Sequence, residues 1–333
     1  MPDDVIAPAA VPIARTDPQV AEPAVAAARR RRLQRLAGPD GIVAGIAIDH
    51  RDSLRTVLSD AGIGGISPDD LRRLKLALTR ALVPASTAIM IDAEFGSLVL
   101  ETGAIPSAVG LIMPLEAQGY DAQGDRRLTT LLEDFSPLAA LRFGADACKL
   151  LLPYRPDDEF AAAHQDALVQ ATAGACHDLG LPLIIEPVVH RRSDESPADH
   201  AAAYPALVID AVARLQPLGA DLLKLPFPIL EGTPTSEAAT AAACDALAAA
   251  CVGTPWVLLG GGADLETYLR QIRVAGRAGA SGFLAGRGIW GPVLRADADE
   301  TERLAVDDAR PAFVRCRDLA RDVARPLPIE RAA

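Results

Sequence analysis

The sequence predicts an α/β protein, a (β/α)8 barrel with an N-terminal tail and additional helices at its ends. First, 333 residues suit one such barrel with extensions. Second, eight short apolar runs alternate with amphipathic or Ala-rich segments long enough for helices, which indicates parallel pairing of the strands. Third, the runs are almost wholly apolar, as strands are when both faces of a parallel sheet are covered.

The elements follow one another regularly along the chain. Residues 1–22 lack periodicity and are predicted to be a flexible tail, and residues 23–333 form the barrel, beginning with a basic helix over 23–37. The eight predicted strands are 42–48, 87–91, 108–113, 147–152, 183–189, 221–225, 256–259 and 282–285. Helices are expected over 157–179, 197–215, 236–251, 265–278 and 300–323, and two more between 52 and 85.

The alternative fold is a doubly wound open sheet. That fold carries a glycine-rich turn after its first strand, but here the first strand leads into Asp49-His50-Arg51. The glycine-rich turns come late instead, at Gly260-Gly261-Gly262 and Gly286-Arg287-Gly288. Barrels often bind phosphate with the loops after strands seven and eight, so the positions of these turns favour the barrel.

Composition excludes several kinds of partner. The formal net charge is −11, which disfavours nucleic-acid binding. No apolar run approaches the length of a membrane span. The five cysteines are scattered and lack a C-x-x-C pair, which favours a reducing cytoplasm over a disulfide framework or a zinc site.

Lysine is the unusual residue. Of 33 basic residues only three are lysines, and two of these, Lys149 and Lys224, interrupt apolar strands. Glu186 interrupts the strand between them. One interpretation is a structural ion-pair network. The other is chemistry that needs an amine able to lose its proton and attack carbon, for which an arginine cannot substitute. Lys75 is predicted to lie on a surface helix, with no role.

Other polar residues follow strand ends, where barrel enzymes place their catalytic groups. Asp49 and His50 follow the first strand, Asp92 follows the second, and Arg287 follows the eighth. The competing interpretations are a helix cap for Asp49, a loop cap for Asp92, and a hydrogen-bonded loop residue for His50. The five histidines show no H-x-x-E-H or H-x-H spacing, so no metal site is expected.

At these residues the chain resembles the class I tagatose-1,6-bisphosphate aldolase family, which extends to sulfofructosephosphate aldolases. The resemblance runs over about residues 41–292 in the family's order. The matching segments are Ala47-Ile48-Asp49-His50-Arg51, Ile91-Asp92-Ala93-Glu94-Phe95-Gly96, Cys148-Lys149-Leu150-Leu151, Ile185-Glu186, Asp221-Leu222-Leu223-Lys224 and Gly282-Phe283-Leu284-Ala285-Gly286-Arg287. The chain departs from the family at His50, where glutamine is usual, and at Gly260-Gly261-Gly262, where Ser-Ala-Gly is usual.

The resemblance implies a role for each matching residue. Lys224 would form a Schiff base with the substrate, with Glu186 and Lys149 assisting proton transfer and Asp49 contacting the substrate hydroxyls. The residues expected to hold a phosphate or neighbouring substrate groups are Arg287, Gly286, Gly261, Gly262, His50 and Asp92. No cofactor is implied, and self-association into a homo-oligomer is expected.

The predicted function is therefore a class I, metal-independent aldolase that cleaves a phosphorylated or sulfonated ketose. The products would be dihydroxyacetone phosphate, or a close relative, and an aldehyde. Two alternatives remain open from the sequence. One is a DhnA-type transaldolase-like condensing enzyme that uses the same lysine. The other is a non-catalytic protein that binds a sugar phosphate and signals to a partner.

Overall fold

Ten strands and twelve α-helices make up the part of the chain that the computed structural model describes, residues 18–328 except 118, 120 and 124. The strands are β1 (Val43–Ala47), β2 (Ala88–Met90), β3 (Gly110–Pro114), β4 (Asp121–Gln123), β5 (Arg126–Leu128), β6 (Ala147–Tyr154), β7 (Leu183–Val189), β8 (Leu222–Leu225), β9 (Trp256–Leu259) and β10 (Gly282–Ala285). The helices are α1 (Pro18–Arg35), α2 (Asp52–Asp60), α3 (Pro68–Leu82), α4 (Ser97–Glu101), α5 (Pro137–Arg142), α6 (Glu159–Asp178), α7 (Pro197–Leu215), α8 (Glu237–Ala250), α9 (Leu265–Arg277), α10 (Arg287–Trp290), α11 (Ala298–Leu304) and α12 (Arg310–Val323).

Eight of these strands close into a parallel barrel in the order β1-β10-β9-β8-β7-β6-β3-β2, so the predicted (β/α)8 fold is confirmed. All eight strands coincide with the predicted apolar runs. The structure adds a small antiparallel hairpin, β4 with β5, which the sequence did not predict. The predicted C-terminal helix is interrupted by a π-helical turn over Ala305–Ala309 between α11 and α12.

The interior of the barrel is filled by small and branched apolar side chains, as expected for this fold. They form a core of their own, separate from the larger core between strands and helices. Its members are Leu36, Val43, Ala47, Ala88, Met90, Ile112, Ala147, Ile184, Leu222, Val257, Leu284 and Leu327. Side chains on a strand alternate between its two faces. The strand residues of this core therefore show which later positions on the same strand also point into the barrel.

One glycine is required where the barrel closes. Gly282 begins β10, pairs with Val43 of β1, and has a φ of +131°. A Cβ at this position would lie 1.9 Å from the Val43 carbonyl oxygen. Only glycine allows both the backbone conformation and the close approach of the two strands.

Helix α1 packs on the amino-terminal side of the barrel through its arginines. Arg29 pairs with Asp221 at 3.1 Å and Arg35 pairs with Asp146 at 2.7 Å, each carboxylate lying just before a strand. The tail predicted over residues 1–22 falls outside the described residues up to residue 17. Helix α1 begins at Pro18, five residues before the expected start of a helix.

The outer helices begin at side-chain caps. Ser67, Ser196 and Ser236 each accept a hydrogen bond from the backbone N–H three residues later, which satisfies one of the free donors of a helix start. None of the helices described in the structure is long and apolar enough to cross a membrane.

Candidate active site

Strand alternation explains how four charged side chains meet at one mouth of the barrel. Each lies two residues after a member of the interior core: Asp49 after Ala47, Lys149 after Ala147, Glu186 after Ile184, and Lys224 after Leu222. They therefore point inward, one layer nearer the carboxyl ends of the strands. This is the end where barrel enzymes carry their catalytic groups.

Glu186 lies between the two lysines. Its Oε1 is 2.9 Å from Lys224 Nζ, and its Oε2 is 3.2 Å from Lys149 Nζ. All three side chains are at least 96% buried, with exposed fractions of 4% or less. Neighbouring strands β6, β7 and β8 supply one residue each, so the barrel frame itself sets the spacing.

Lys149 is surrounded by carboxylates. Besides Glu186, its ammonium contacts Asp49 Oδ2 at 3.0 Å and Glu116 Oε1 at 2.5 Å. Burial alone would lower the pKa of Lys149, but the charges of Asp49, Glu116 and Glu186 raise it well above its usual value. Lys149 is therefore held as a cation, which donates hydrogen bonds to Asp49 and Glu116 and forms an ion pair with Glu186.

Asp49 is held as a carboxylate. Burial would raise its pKa, but the positive charge of Lys149, together with that of Lys224, outweighs burial and holds the pKa far below its usual range. One of its oxygens bonds Lys149 and the other lies 3.6 Å from His50 Nδ1. Asp49 is therefore an anionic hydrogen-bond acceptor at the cavity.

Glu116 was missed by the sequence analysis. It follows β3, and its second carboxylate oxygen accepts from the Leu151 N–H at 3.2 Å. Burial raises the pKa of Glu116, while the charge of Lys149 works in the opposite direction. The sequence could have indicated Glu116. Ile112 points inward, and in an extended chain a residue four positions later lies on the same face.

The residues predicted to hold phosphate lie together on another side of the cavity. Gly261 and Gly262 follow β9 and have φ values of +59° and +85°, a conformation that favours glycine. Gly286 and Arg287 follow β10 and line the same cavity. Backbone N–H groups beside one guanidinium are the donors that bind phosphate.

His50 also lines the cavity, between Asp49 and the glycine turns. Its ring meets Trp290 edge to face, with the centroids 5.1 Å apart. Burial, and then the positive charges of Arg287 and Lys224, lower the pKa of His50 to about 3 although Asp49 opposes this. The imidazole is thus neutral at neutral pH, so one of its nitrogens can donate a hydrogen bond and the other can accept one.

Asp92 does not reach the cavity, although the sequence placed it among the substrate-binding residues. Its carboxylate is held outside the cavity by Lys75 of α3 and by the Phe95 N–H of the following loop. The Asp92 carboxylate is completely buried and forms an ion pair with Lys75. The prediction that Lys75 lies on the surface was wrong, since its side chain is also completely buried.

The remaining wall of the cavity combines apolar residues with two arginines and a histidine. Arg51, Arg127 and His190 line it together with the nine predicted residues other than Asp92. The cavity has a volume of about 410 Å³. In the described part of the chain, no group of three or more His, Cys, Asp or Glu side chains is arranged to hold a metal ion.

Together, the fold and this cavity define a barrel enzyme with its acid–base groups at the carboxyl ends of the strands. The model of the DeoC/LacD family aldolases matches residues 43–291. The chain belongs to the DeoC/LacD aldolase family and is a lyase of the aldolase type.

Individual relatives agree with this assignment. Tagatose 1,6-diphosphate aldolase from Listeria monocytogenes is 29% identical over 298 residues, which cover 85% of this chain and 86% of that protein. Tagatose 1,6-diphosphate aldolase 1 from Enterococcus faecalis is 28% identical over 276 residues, covering 79% and 84%. The structure of fructose-bisphosphate aldolase from Plasmodium falciparum has the same fold, with a TM-score of 0.65 at 14% identity over 91% of this chain and 96% of that one.

Proposed function

We propose that the protein is a class I aldolase that cleaves a ketose phosphate through a Schiff base on Lys224. The observation that carries this proposal is the contact between Lys224 Nζ and Glu186 Oε1 at 2.9 Å inside a cavity. A lysine nucleophile needs a nearby group that takes up and returns protons. Glu186 is in hydrogen-bond range of the amine and can exchange protons with it.

The proposed reaction begins with attack of the neutral Lys224 amine on the C2 ketone. Glu186 donates a proton to the departing hydroxyl, so that water leaves and an iminium forms. The iminium accepts the electron pair of the C3–C4 bond as a base removes the C4 hydroxyl proton, which releases an aldehyde. We assign this base to Asp49, because its carboxylate lines the cavity and Glu186 already bridges the two lysines. Protonation of the enamine at C3 and hydrolysis release the second product.

The proposed substrate carries a phosphate next to its ketone. The Gly261, Gly262 and Gly286 N–H groups and Arg287 would hold this phosphate and so place C2 against Lys224. Such positioning supplies a large part of the rate of a reaction of this kind. The names of the curated relatives, tagatose 1,6-diphosphate aldolases, support a ketose bisphosphate. We also propose a sulfonate as an alternative group at the far end.

The proposal extends to the setting in which the enzyme works. We expect it to act in the cytoplasm as a homo-oligomer, with a small phosphorylated sugar and not a nucleic acid as its partner. Its chemistry needs no cofactor and no metal ion, because the iminium formed on Lys224 accepts the electron pair of the broken bond. Retention of full activity in EDTA would agree with this expectation.

Borohydride trapping tests the proposed chemistry. Incubation with tagatose or fructose 1,6-bisphosphate and borohydride should give a covalent adduct on Lys224, identified by peptide mass spectrometry. Parallel assays over a panel of ketose phosphates would measure release of dihydroxyacetone phosphate. Lys224→Ala and Lys224→Arg should lose both the adduct and turnover, because neither side chain can form the imine. Full activity in either variant would contradict the mechanism.

A further inference from the structure

A second buried charge cluster lies directly behind the active site. Lys75, on α3, donates from Nζ to the carbonyl oxygen of Ile48 at 2.8 Å and forms an ion pair with Asp92. The other oxygen of Asp92 accepts from the Phe95 N–H at 2.8 Å. Both charged side chains are fully shielded from solvent, so their bonds cannot be exchanged for bonds to water.

The bond from Lys75 reaches the backbone immediately before Asp49. Strand β1 ends at Ala47, so the segment that carries Asp49 lies beyond the last residue of the strand. One backbone bond, from the Ile48 N–H to the Met90 carbonyl at 2.8 Å, still holds this segment, and side chains hold its carbonyls. Trp290 Nε1 donates to the Ala47 carbonyl at 2.9 Å, and Lys75 donates to the next carbonyl, that of Ile48. Two consecutive carbonyls are thus fixed from two different helices.

We propose that Lys75, held in place by Asp92, is a positioning residue that aims the Asp49 carboxylate at the reacting hydroxyl. The inference rests on the proposed function, in which Asp49 removes the C4 hydroxyl proton. Lys75 does not line the cavity and touches no substrate. It acts through the Ile48 carbonyl, one peptide group away from Asp49.

The chemistry of the pair favours this role over a purely structural one. A buried ion pair adds little stability compared with apolar side chains of the same volume, because desolvation offsets the attraction of the charges. What apolar side chains cannot provide is a donor to the Ile48 carbonyl. An ammonium on a flexible stem can serve two acceptors in a confined space, whereas a guanidinium brings five donors in a rigid plane.

The decisive variant replaces both charges, Lys75→Met with Asp92→Leu. Replacing Lys75 alone would leave a buried carboxylate unpaired and could unfold the protein. The double replacement should fold with a lower Tm than the wild type, because the Ile48 carbonyl and the Phe95 N–H lose their partners. We expect its kcat for cleavage to fall about 10- to 100-fold, the scale of a small misplacement of a catalytic group. Borohydride trapping of the substrate imine should stay within about twofold of the wild type, because Lys224 and Glu186 are untouched.

A mutant cycle with Asp49→Asn identifies the residue through which Lys75 acts. If the pair works through Asp49, adding the double replacement to Asp49→Asn should change the remaining cleavage rate by less than about twofold. A further loss of tenfold or more in that background would overturn the proposal. So would a parallel fall of imine formation and cleavage in the double replacement, which a general loosening of the barrel predicts.

Leu78→Ala is the matched control. Leu78 is fully buried on the same helix, one turn after Lys75. This variant should lower Tm and leave kcat at 25 °C unchanged, showing that damage to the α3 core alone does not slow cleavage. A wild-type protein that traps no imine overturns the proposed function and this inference with it. Trapping by the wild type together with full cleavage in the double replacement overturns the inference alone.

Discussion

At the scale of single residues, the scarcity of lysine acquires a structural meaning. All three lysines are buried, two in the cavity and one behind it. The sequence predicted the first two correctly, because a charge on an apolar strand demands a partner. It misjudged Lys75, although Leu71 and Leu78 lie one turn before and after it, and helix periodicity puts all three on one face. Its partner Asp92 is distant in sequence, so the pairing could not be read from the helix.

Replacing Glu116 tests whether the carboxylates around Lys149 contribute to catalysis. Glu116→Gln keeps the shape of the side chain and an acceptor for the Leu151 N–H, but it removes one of the three charges around Lys149. We expect kcat/KM to fall about tenfold, the effect of weakening one charged hydrogen bond by about 1.4 kcal/mol. Steady-state cleavage assays measure it. Glu133→Gln, at an exposed position 17 residues later, should behave as the wild type. Equal kcat/KM values for the wild type and both variants would show that Glu116 has no part in the reaction.

His50 gives the pH prediction. Burial and nearby cations lower the pKa of His50 to about 3, so His50 stays neutral from pH 5 to 9. Its titration should therefore cause no rise or fall in kcat/KM over this pH range. His50→Gln should therefore change the height of the pH profile of kcat/KM but not its shape. His164→Gln, at an exposed position, is the control. A limb near pH 6 to 7 that disappears only in His50→Gln would show that the imidazole titrates during the reaction.

The same shift predicts the sign of a stability effect. The unfolded chain takes up a proton at His50 below about pH 6.5, whereas the folded chain does not until about pH 3. Since the unfolded state then binds more protons, the free energy of unfolding decreases as the pH falls through this window. Urea unfolding at pH 7 and pH 4.5 should show a smaller loss of stability for His50→Gln than for the wild type. An equal loss in both proteins would contradict the shift.

At the scale of elements, the sequence predicted what periodicity controls and failed where periodicity ends. The eight barrel strands and the helix α7 coincide with their predicted segments, because covered parallel strands are apolar throughout and α7 has a capping serine before an apolar stripe. The hairpin β4–β5 is short and polar, with Arg126 and Arg127 exposed or half-buried, so no hydrophobic pattern marked it. Asp92 was misplaced because Lys75 and the Phe95 N–H hold its carboxylate outside the cavity, and periodicity along β2 does not indicate either contact.

Gly282 tests the closure between β10 and β1. Gly282→Ala combines an unfavourable positive φ with a Cβ 1.9 Å from the Val43 carbonyl oxygen, so the two strands must separate. We expect it to lower the free energy of unfolding by more than about 3 kcal/mol, the sum of backbone strain and overpacking. Gly144→Ala isolates the backbone contribution, since Gly144 has a φ of +86° and open space around it. Similar losses in urea unfolding for the two variants would mean that the strands are not closely packed at this point.

At the scale of the whole molecule, residues that stabilise the barrel and residues proposed for catalysis lie at opposite ends of it. The groups proposed for catalysis lie at the carboxyl ends of the strands. Leu36 belongs to the interior core at the opposite end, where it lies against Gly110 at the start of β3. Leu36 is completely buried. Packing at this end stabilises the barrel, while the loops at the other end surround the proposed active site.

Leu36→Ala tests this separation. The variant leaves a cavity at the base of the barrel and should lower the free energy of unfolding by about 2–5 kcal/mol. Its kcat/KM at 25 °C should equal that of the wild type, because the strands between the two ends are held by their own ladder of hydrogen bonds. Leu33→Ala, at a half-buried position on α1, should cost less stability and no activity. Urea unfolding and cleavage assays on the same preparations compare the two effects. A large loss of kcat/KM in Leu36→Ala, with the protein still folded, would show that packing at the base controls the geometry of Lys149, Glu186 and Lys224 across the full height of the barrel.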